Sequence, residues 1–390
     1  MIKHLYDFIY SNGDNWIEEI QKAPYFIKVR ELDNFILLKY DQLNSDMSLP
    51  LCQVCRGIIL EVDELTGDWF VVCYPFDKFF NHGEPYAAEI DDWRHAIVNE
   101  KIDGSLIKFW TDLRGGWHIS TNGSIDAFKA EISDSPYGLT FGDIVERALG
   151  CNWLSFCREL NPEYTYMFEV VSPDARVTVS YEYDGLYYLG QRNMNTLKEL
   201  YYYDDVWENF GVLEPKVYNV CHLEDCIALV EEFTKDEEGV VVCDANFNRI
   251  KVKSPEYLIA AHCANNGKLG LRTAIRLIRE DKVDDFLAYA PMHRVKLELI
   301  VAAYEDIKDH FYDEFSKVRH IVWMPKKEFV YGVQLAKLTK DGFNFAMWAY
   351  DHRENNINDY MNLLTERSLI QRIKERVKDA KDELEELDDE

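Results

Sequence analysis

Lys101-Ile102-Asp103-Gly104-Ser105 is the stretch on which the reading of this chain turns. Alone, a K-x-D-G tetrapeptide says little, because at average residue usage it arises by chance in roughly one chain in ten of this length. Its weight comes from its company. Arg56-Gly57 and Lys78-Phe79-Phe80-Asn81 precede it, and Phe168-Glu169, Glu238-Gly239 and Lys251-Val252-Lys253 follow.

Around these segments, up to about residue 260, β-branched and aromatic runs alternate with turn residues. Residues 35–40, 57–62, 69–74, 106–110 and 117–121 read as short, mostly antiparallel strands. Two stretches, 141–149 and 223–233, read as helices. From Lys268 the texture changes, with apolar residues recurring at three and four, as in Leu271, Ile275 and Ile278. The chain is therefore expected to be α+β, with an antiparallel-sheet domain over residues 1–262 and an all-helical C-terminal domain over 263–390. Ala264-Asn265-Asn266-Gly267 marks the link between them.

At 390 residues and 47% apolar content, two cores are expected. The net charge of −27 excludes a protein that holds nucleic acid by bulk attraction, so any such contact must be local. Residues 378–390, with eight acids against two lysines, read as a solvated acidic tail. Nine cysteines without framework spacing read as reduced thiols, which places the protein in a cytoplasm, that of a host if the chain is viral. No apolar run of about 18 residues is present, and no membrane role is expected.

A lysine that attacks phosphorus must be neutral, although its ordinary pKa is about 10.4, so it needs cationic neighbours, a metal or burial. Lys101 is the candidate nucleophile, and Gly104 suits a turn where backbone approaches a phosphate. In a strand over residues 249–254, Lys251 and Lys253 would share one face and Ile250 and Val252 the other. Two like charges side by side call for an anion over them, and a triphosphate fits. Asp103, Glu169 and Glu238 are the candidate carboxylates for a hydrated magnesium ion. Alternation places Phe168 opposite Glu169, in the core.

Taken together, these segments resemble the RNA ligase 1 family known from T-even bacteriophage, within the covalent nucleotidyltransferases. Val54-Cys55-Arg56-Gly57-Ile58, Pro75-Phe76-Asp77-Lys78-Phe79-Phe80-Asn81, Glu100-Lys101-Ile102-Asp103-Gly104-Ser105, Phe168-Glu169-Val170-Val171-Ser172-Pro173, Glu238-Gly239-Val240-Val241 and Ile250-Lys251-Val252-Lys253 with Tyr257 carry the likeness. The resemblance implies a nucleotidyltransferase domain of the ATP-grasp-like ligase type and a three-step reaction. Lys101 takes AMP from ATP, AMP passes to an RNA 5′-phosphate, and a 3′-hydroxyl displaces it. It further implies that Lys39, Arg56, Lys78, Phe80, Gly104, Glu169, Glu238, Lys251 and Lys253 contact the nucleotide. Tyr257 would serve the later steps, and Asp284 and Asp285 a secondary divalent ion. Mg2+ is the expected metal, with Mn2+ as a substitute. The expected substrate is RNA with 5′-phosphate and 3′-hydroxyl ends, such as a cleaved tRNA anticodon loop, supplied by an end-healing polynucleotide kinase/phosphatase.

Three positions depart from the pattern. Asn122 stands where the phage enzyme has a lysine, so a shorter, neutral donor is expected to substitute there. Met167 replaces an aromatic base platform. Leu106 replaces the arginine usual in DNA ligases and capping enzymes, the rival readings beside a non-catalytic relative.

Overall fold

A computed structural model describes residues 1–132, 138–255, 257, 269–279, 281–352 and 357–377. The chain divides into two compact units, Met1–Gly267 and Lys268–Glu390. The expected linker and the acidic tail lie outside the described residues.

The first unit is built on three sheets. β1 (Ile27–Leu32), β2 (Phe35–Tyr40), β3 (Arg56–Val62) and β4 (Trp69–Cys73) form an antiparallel meander. They are followed by β5 (Phe80–Asn81), β6 (Ile97–Glu100), β7 (Ser105–Thr111) and β8 (Trp117–Thr121). Next come β9 (Tyr164–Val171), β10 (Gly185–Asn193), β11 (Glu199–Leu200) and β12 (Val212–Leu213). β13 (Val217–Tyr218), β14 (Gly239–Cys243) and β15 (Arg249–Lys253) complete the set. The second sheet runs β11-β10-β9-β7-β8 and the third β13-β6-β14-β15-β5. Pairing is antiparallel except where β12 meets β10 and β5 meets β15.

Period-two alternation explains how the first sheet is covered on both faces. Ile36, Leu38, Tyr40, Ile58 and Leu60 point toward a cluster with Leu5, Trp16, Ile20 and Leu51. These last come from helices α1 (Lys3–Asn12), α2 (Trp16–Ile20) and α3 (Pro50–Val54). Phe35, Leu37, Ile59 and Cys73 point the other way and meet Trp110 of β7 and Ile125. The first two sheets thus pack face to face over side chains from alternate positions of β2, β3 and β7.

The two helices expected within this unit are present as α4 (Phe141–Leu149) and α6 (Leu223–Glu231), while α1, α2, α3 and α5 (Trp153–Cys157) were not foreseen. α4 has full end signals. Thr140 Oγ1 accepts from the Asp143 amide at 3.1 Å, Asp143 Oδ2 accepts from the Thr140 amide at 2.8 Å, and Gly150 closes the helix at φ 65°. Of the unforeseen helices, α2, α3 and α5 have five residues each, too few to show a helical period, whereas α1 has ten but no side-chain cap to mark its start.

The second unit is helical: α7 (Leu271–Arg279), α8 (Val283–Tyr289), α9 (Arg294–Ser316), α10 (Lys326–Leu335), α11 (Lys340–His352), α12 (Ile357–Leu363) and α13 (Glu366–Arg376). Phe311, Phe315, Phe345 and Tyr360 pack ring to ring in its core. No described helix is long and apolar enough to cross a membrane. Thr140→Ala removes the oxygen that caps α4 and is expected to lower the unfolding free energy by about 1 kcal/mol, read from urea denaturation followed by circular dichroism.

Candidate active site

Strand register assembles the centre of the site. On one side of β14, Val240 pairs with Glu100, the last residue of β6, and the ladder continues one step as the Lys101 amide donates to Gly239 O at 2.9 Å. On the other side, Gly239 pairs with Lys253 of β15. The residue before Gly239 therefore lies between two lysines. Glu238 Oε2 is 2.6 Å from Lys101 Nζ and Glu238 Oε1 is 3.1 Å from Lys253 Nζ. Lys101 retains 16% side-chain exposure, Lys253 4% and Glu238 none. Gly239 is required here, because at φ 144° any Cβ would strike the Val252 carbonyl.

The anion expected over the lysine pair is thus supplied to Lys253 from within, by Glu238. Lys251 is differently placed, its ammonium 5.3 Å from the centre of the Phe79 ring. The Arg56 guanidinium lies 5.2 Å from the same ring, so Phe79 links two of the expected site cations through its face. Lys78 Nζ donates to Tyr40 Oη at 3.1 Å and rests 5.5 Å from the ring of Phe80, itself buried on β5.

Asp103 and Gly104 have structural employment that their sequence reading did not contain. Asp103 is buried, and its Oδ2 accepts from the Thr178 and Val179 amides at 2.8 Å each. Tyr257 Oη donates to Asp103 Oδ1 at 3.2 Å. The carboxylate proposed as a metal ligand thus ties Tyr257 and the 178–179 backbone to the lysine loop. Gly104 approaches β9 rather than open space: a Cβ there would meet the Val170 carbonyl and the Glu169 side chain. The Gly104 amide donates to Glu169 Oε1 at 3.2 Å. Met167 and Leu106 are buried together with Phe76, and Phe168 sits in the apolar core with Phe109, Phe156 and Tyr188, as alternation required. Asp284 and Asp285 begin α8 in the second unit, where the Asp285 amide donates to Asp284 Oδ1 at 2.9 Å.

A further cation, Lys108, was missed. It is wholly buried on β7, on the same face as Trp110, and its ammonium donates to Gly57 O. Gly57, at φ 79°, is the extra residue of a bulge that sets Lys39 opposite Arg56. A Cβ on Gly57 would lie 2.6 Å from Asn122 Oδ1 and 3.2 Å from Lys108 Nζ. Lys108 therefore stands beside Asn122, across the β7–β8 hairpin, and brings a charge to the place where a neutral donor was expected. Burial, with smaller contributions from Lys39 and Arg56, lowers its pKa to about 8. The layer between the first two sheets thus has an apolar end at Phe35, Leu37 and Trp110 and a cationic end at Lys39, Arg56 and Lys108. A charged residue at an inward position of an otherwise apolar strand was the signal that could have found it.

Among the described residues no three His, Cys, Asp or Glu side chains form a preformed metal cage. Glu169, held by the Gly104 amide, and Glu238, held by two lysines, are single carboxylates. That donor set fits a hard cation that keeps most of its water rather than one stripped by protein ligands.

A buried carboxylate shared by two lysines, with Lys251 and Arg56 meeting at the Phe79 ring, gathers charged side chains at the segments that carry the family likeness. The RNA ligase family model of the T4 type 1 class matches residues 54–257, more than half of the chain, and the chain belongs to that family. It is 30% identical over 299 residues to a putative bifunctional polynucleotide kinase/RNA ligase of Autographa californica nuclear polyhedrosis virus, covering 72% of this chain and 40% of that protein. An RNA ligase of Rhodothermus phage RM378 is 31% identical over 51% of this chain and 49% of its own length. The chain thus spans half or less of these curated relatives. An archaeal ATP-dependent RNA ligase gives a TM-score of 0.45 at 14% identity, over 85% of this chain and 78% of that one, a likeness too loose to carry an argument.

Lys108 yields a pH signature. Its pKa is about 8 folded against 10.5 for a free lysine, so the unfolded chain binds more protons between these values. The cost of burying the charge is complete below pH 8 and gone above 10.5. Unfolding free energy of the wild type relative to Lys108→Met is expected to rise by about 3 kcal/mol across that window, measured by denaturation at a series of pH values.

Proposed function

We propose that this chain is an ATP-dependent RNA ligase that joins 5′-phosphate and 3′-hydroxyl ends. The observation that carries the reading is the Lys101–Glu238–Lys253 arrangement, found at the segments that match the family.

Lys101 Nζ attacks the α-phosphorus of ATP once it has shed a proton; a nitrogen–phosphorus bond forms and the bond to pyrophosphate breaks. A carboxylate that serves two ammonium groups holds each less firmly than it would hold one, which eases release of Lys101 toward the phosphate. Lys251 and Lys253 stabilise the charge that develops as pyrophosphate leaves. Arg56, Lys78, Lys39 and Lys108 bind and orient the nucleotide, with Lys108 standing in for the lysine absent at Asn122. Glu169 and Glu238 would hold a hydrated divalent cation, Mg2+ with Mn2+ as a substitute, which would neutralise phosphate charge. An RNA 5′-phosphate oxygen then displaces Lys101 from the adenylyl phosphorus, and the RNA 3′-hydroxyl displaces AMP from the activated 5′-phosphate. Tyr257, fixed on Asp103, serves these later steps.

The helical unit, with Asp284 and Asp285, selects structured RNA such as a cleaved tRNA anticodon loop. The name of the baculovirus relative couples a polynucleotide kinase to a ligase. An end-healing kinase/phosphatase supplying the required ends in the cytoplasm, that of a host if the chain is viral, is the partner this suggests.

Incubation with ATP and a 5′-labelled oligoribonucleotide is expected to convert the label into a phosphatase-resistant, joined form; GTP should not support it. Lys251→Ala and Lys253→Ala should each slow joining by about 10²–10³. Failure of the wild type to join RNA with ATP would overturn the reading.

A further inference from the structure

Residues 317–340 of the second unit carry six Lys and Arg against one acid, Glu328, in a chain whose net charge is −27. The same segment exposes large apolar side chains: Trp323 at 80%, Tyr331 at 63% and Leu335 at 64%. On α10, Lys327, Tyr331 and Leu335 recur at intervals of four and so form one stripe, with Trp323 just ahead of it.

The stripe is presented on a fixed support. The opposite side of α10 is anchored by Phe329, which stacks on Tyr350 with ring centres 4.5 Å apart, and by buried Val333. Gly332 leaves room for the Ile321 side chain against the helix, and Met324 O accepts from Tyr350 Oη at 2.9 Å. The turn that carries Trp323 is thus held at both ends, and its ring is exposed by construction. Lys326 pairs with Asp351, whereas Lys327 has no ion-pair partner among the described residues.

We infer that the Trp323–Lys327–Tyr331 face is a docking surface for single-stranded RNA, with bases stacked on the two rings and phosphates against the basic side chains. The inference rests on the reading of RNA as the substrate. Charge decides the occupant: a polyanion is repelled by the acidic bulk of this chain and attracted to this basic segment, while aromatic faces supply sequence-independent stacking. A protein partner would have no need of a net charge of +5 over these 24 residues.

The test uses the full chain and a fluorescein-labelled, 5′-phosphorylated single-stranded oligoribonucleotide in anisotropy titrations at several salt concentrations, with circular dichroism as a check of folding. Trp323→Ala with Tyr331→Ala is expected to weaken RNA binding on the order of tenfold or more. Lys327→Glu, which leaves the apolar packing alone, should weaken it and flatten the salt dependence. Covalent labelling by ATP should be unchanged in both variants, so loss of the ligase reading, seen as no ATP label in the wild type, is distinguishable from loss of this surface. Unaltered RNA affinity in the folded variants would overturn the proposal. So would wild-type self-association that the variants abolish without a change in RNA binding, which would make the face a protein interface.

Discussion

A single carboxylate, Glu238, fully buried and bracketed by Lys101 and Lys253, is the constraint around which the first unit is arranged. A charge taken out of water needs compensation, and removal of one partner from such a pair costs about 3–5 kcal/mol. Here the compensation is delivered by backbone register: β14 is flanked by β6 and β15, so the residue ahead of Gly239 faces a lysine on either side. Gly239 is the point where β14 and β15 come too close for a side chain. Any shift of one residue in either ladder would turn a lysine to the opposite face and leave Glu238 unmatched.

The distribution of charge follows a related logic. Against a net charge of −27, Lys78, Lys108 and Lys251 are buried. Lys108, Lys39 and Arg56 gather at one end of the layer between the first two sheets, and the lowered pKa of Lys108 records mainly the cost of its burial. Such an arrangement is wasteful unless an anion arrives, and under the proposed function that anion is the nucleotide.

Much of this was legible in sequence because it depends on local periodicity. The strands around residues 35–40, 57–62 and 117–121, the helix capped by Thr140, and the inward turn of Phe168 all follow from alternation and end signals. The family segments pointed to Lys101, Glu169, Glu238, Lys251 and Lys253. What sequence could not show depends on contacts distant along the chain. That Asp103 would be spent on the 178–179 amides and Tyr257, that Phe79 rather than Phe80 would lie between Arg56 and Lys251, and that Lys108 would bring a cation beside Asn122 are consequences of sheet packing. Helices α2 and α3, at five residues each, carried too few turns to declare themselves, and α1 has no capping side chain to mark its start.

The measurement that bears most directly on this account is the location of the covalent nucleotide. The protein is incubated with labelled ATP and a divalent cation, denatured, digested and mapped by mass spectrometry. The account predicts one adenylylated peptide, modified at Lys101, and no modification in Lys101→Ala. A label on another residue, or none at all from ATP in the folded wild-type chain, would contradict it.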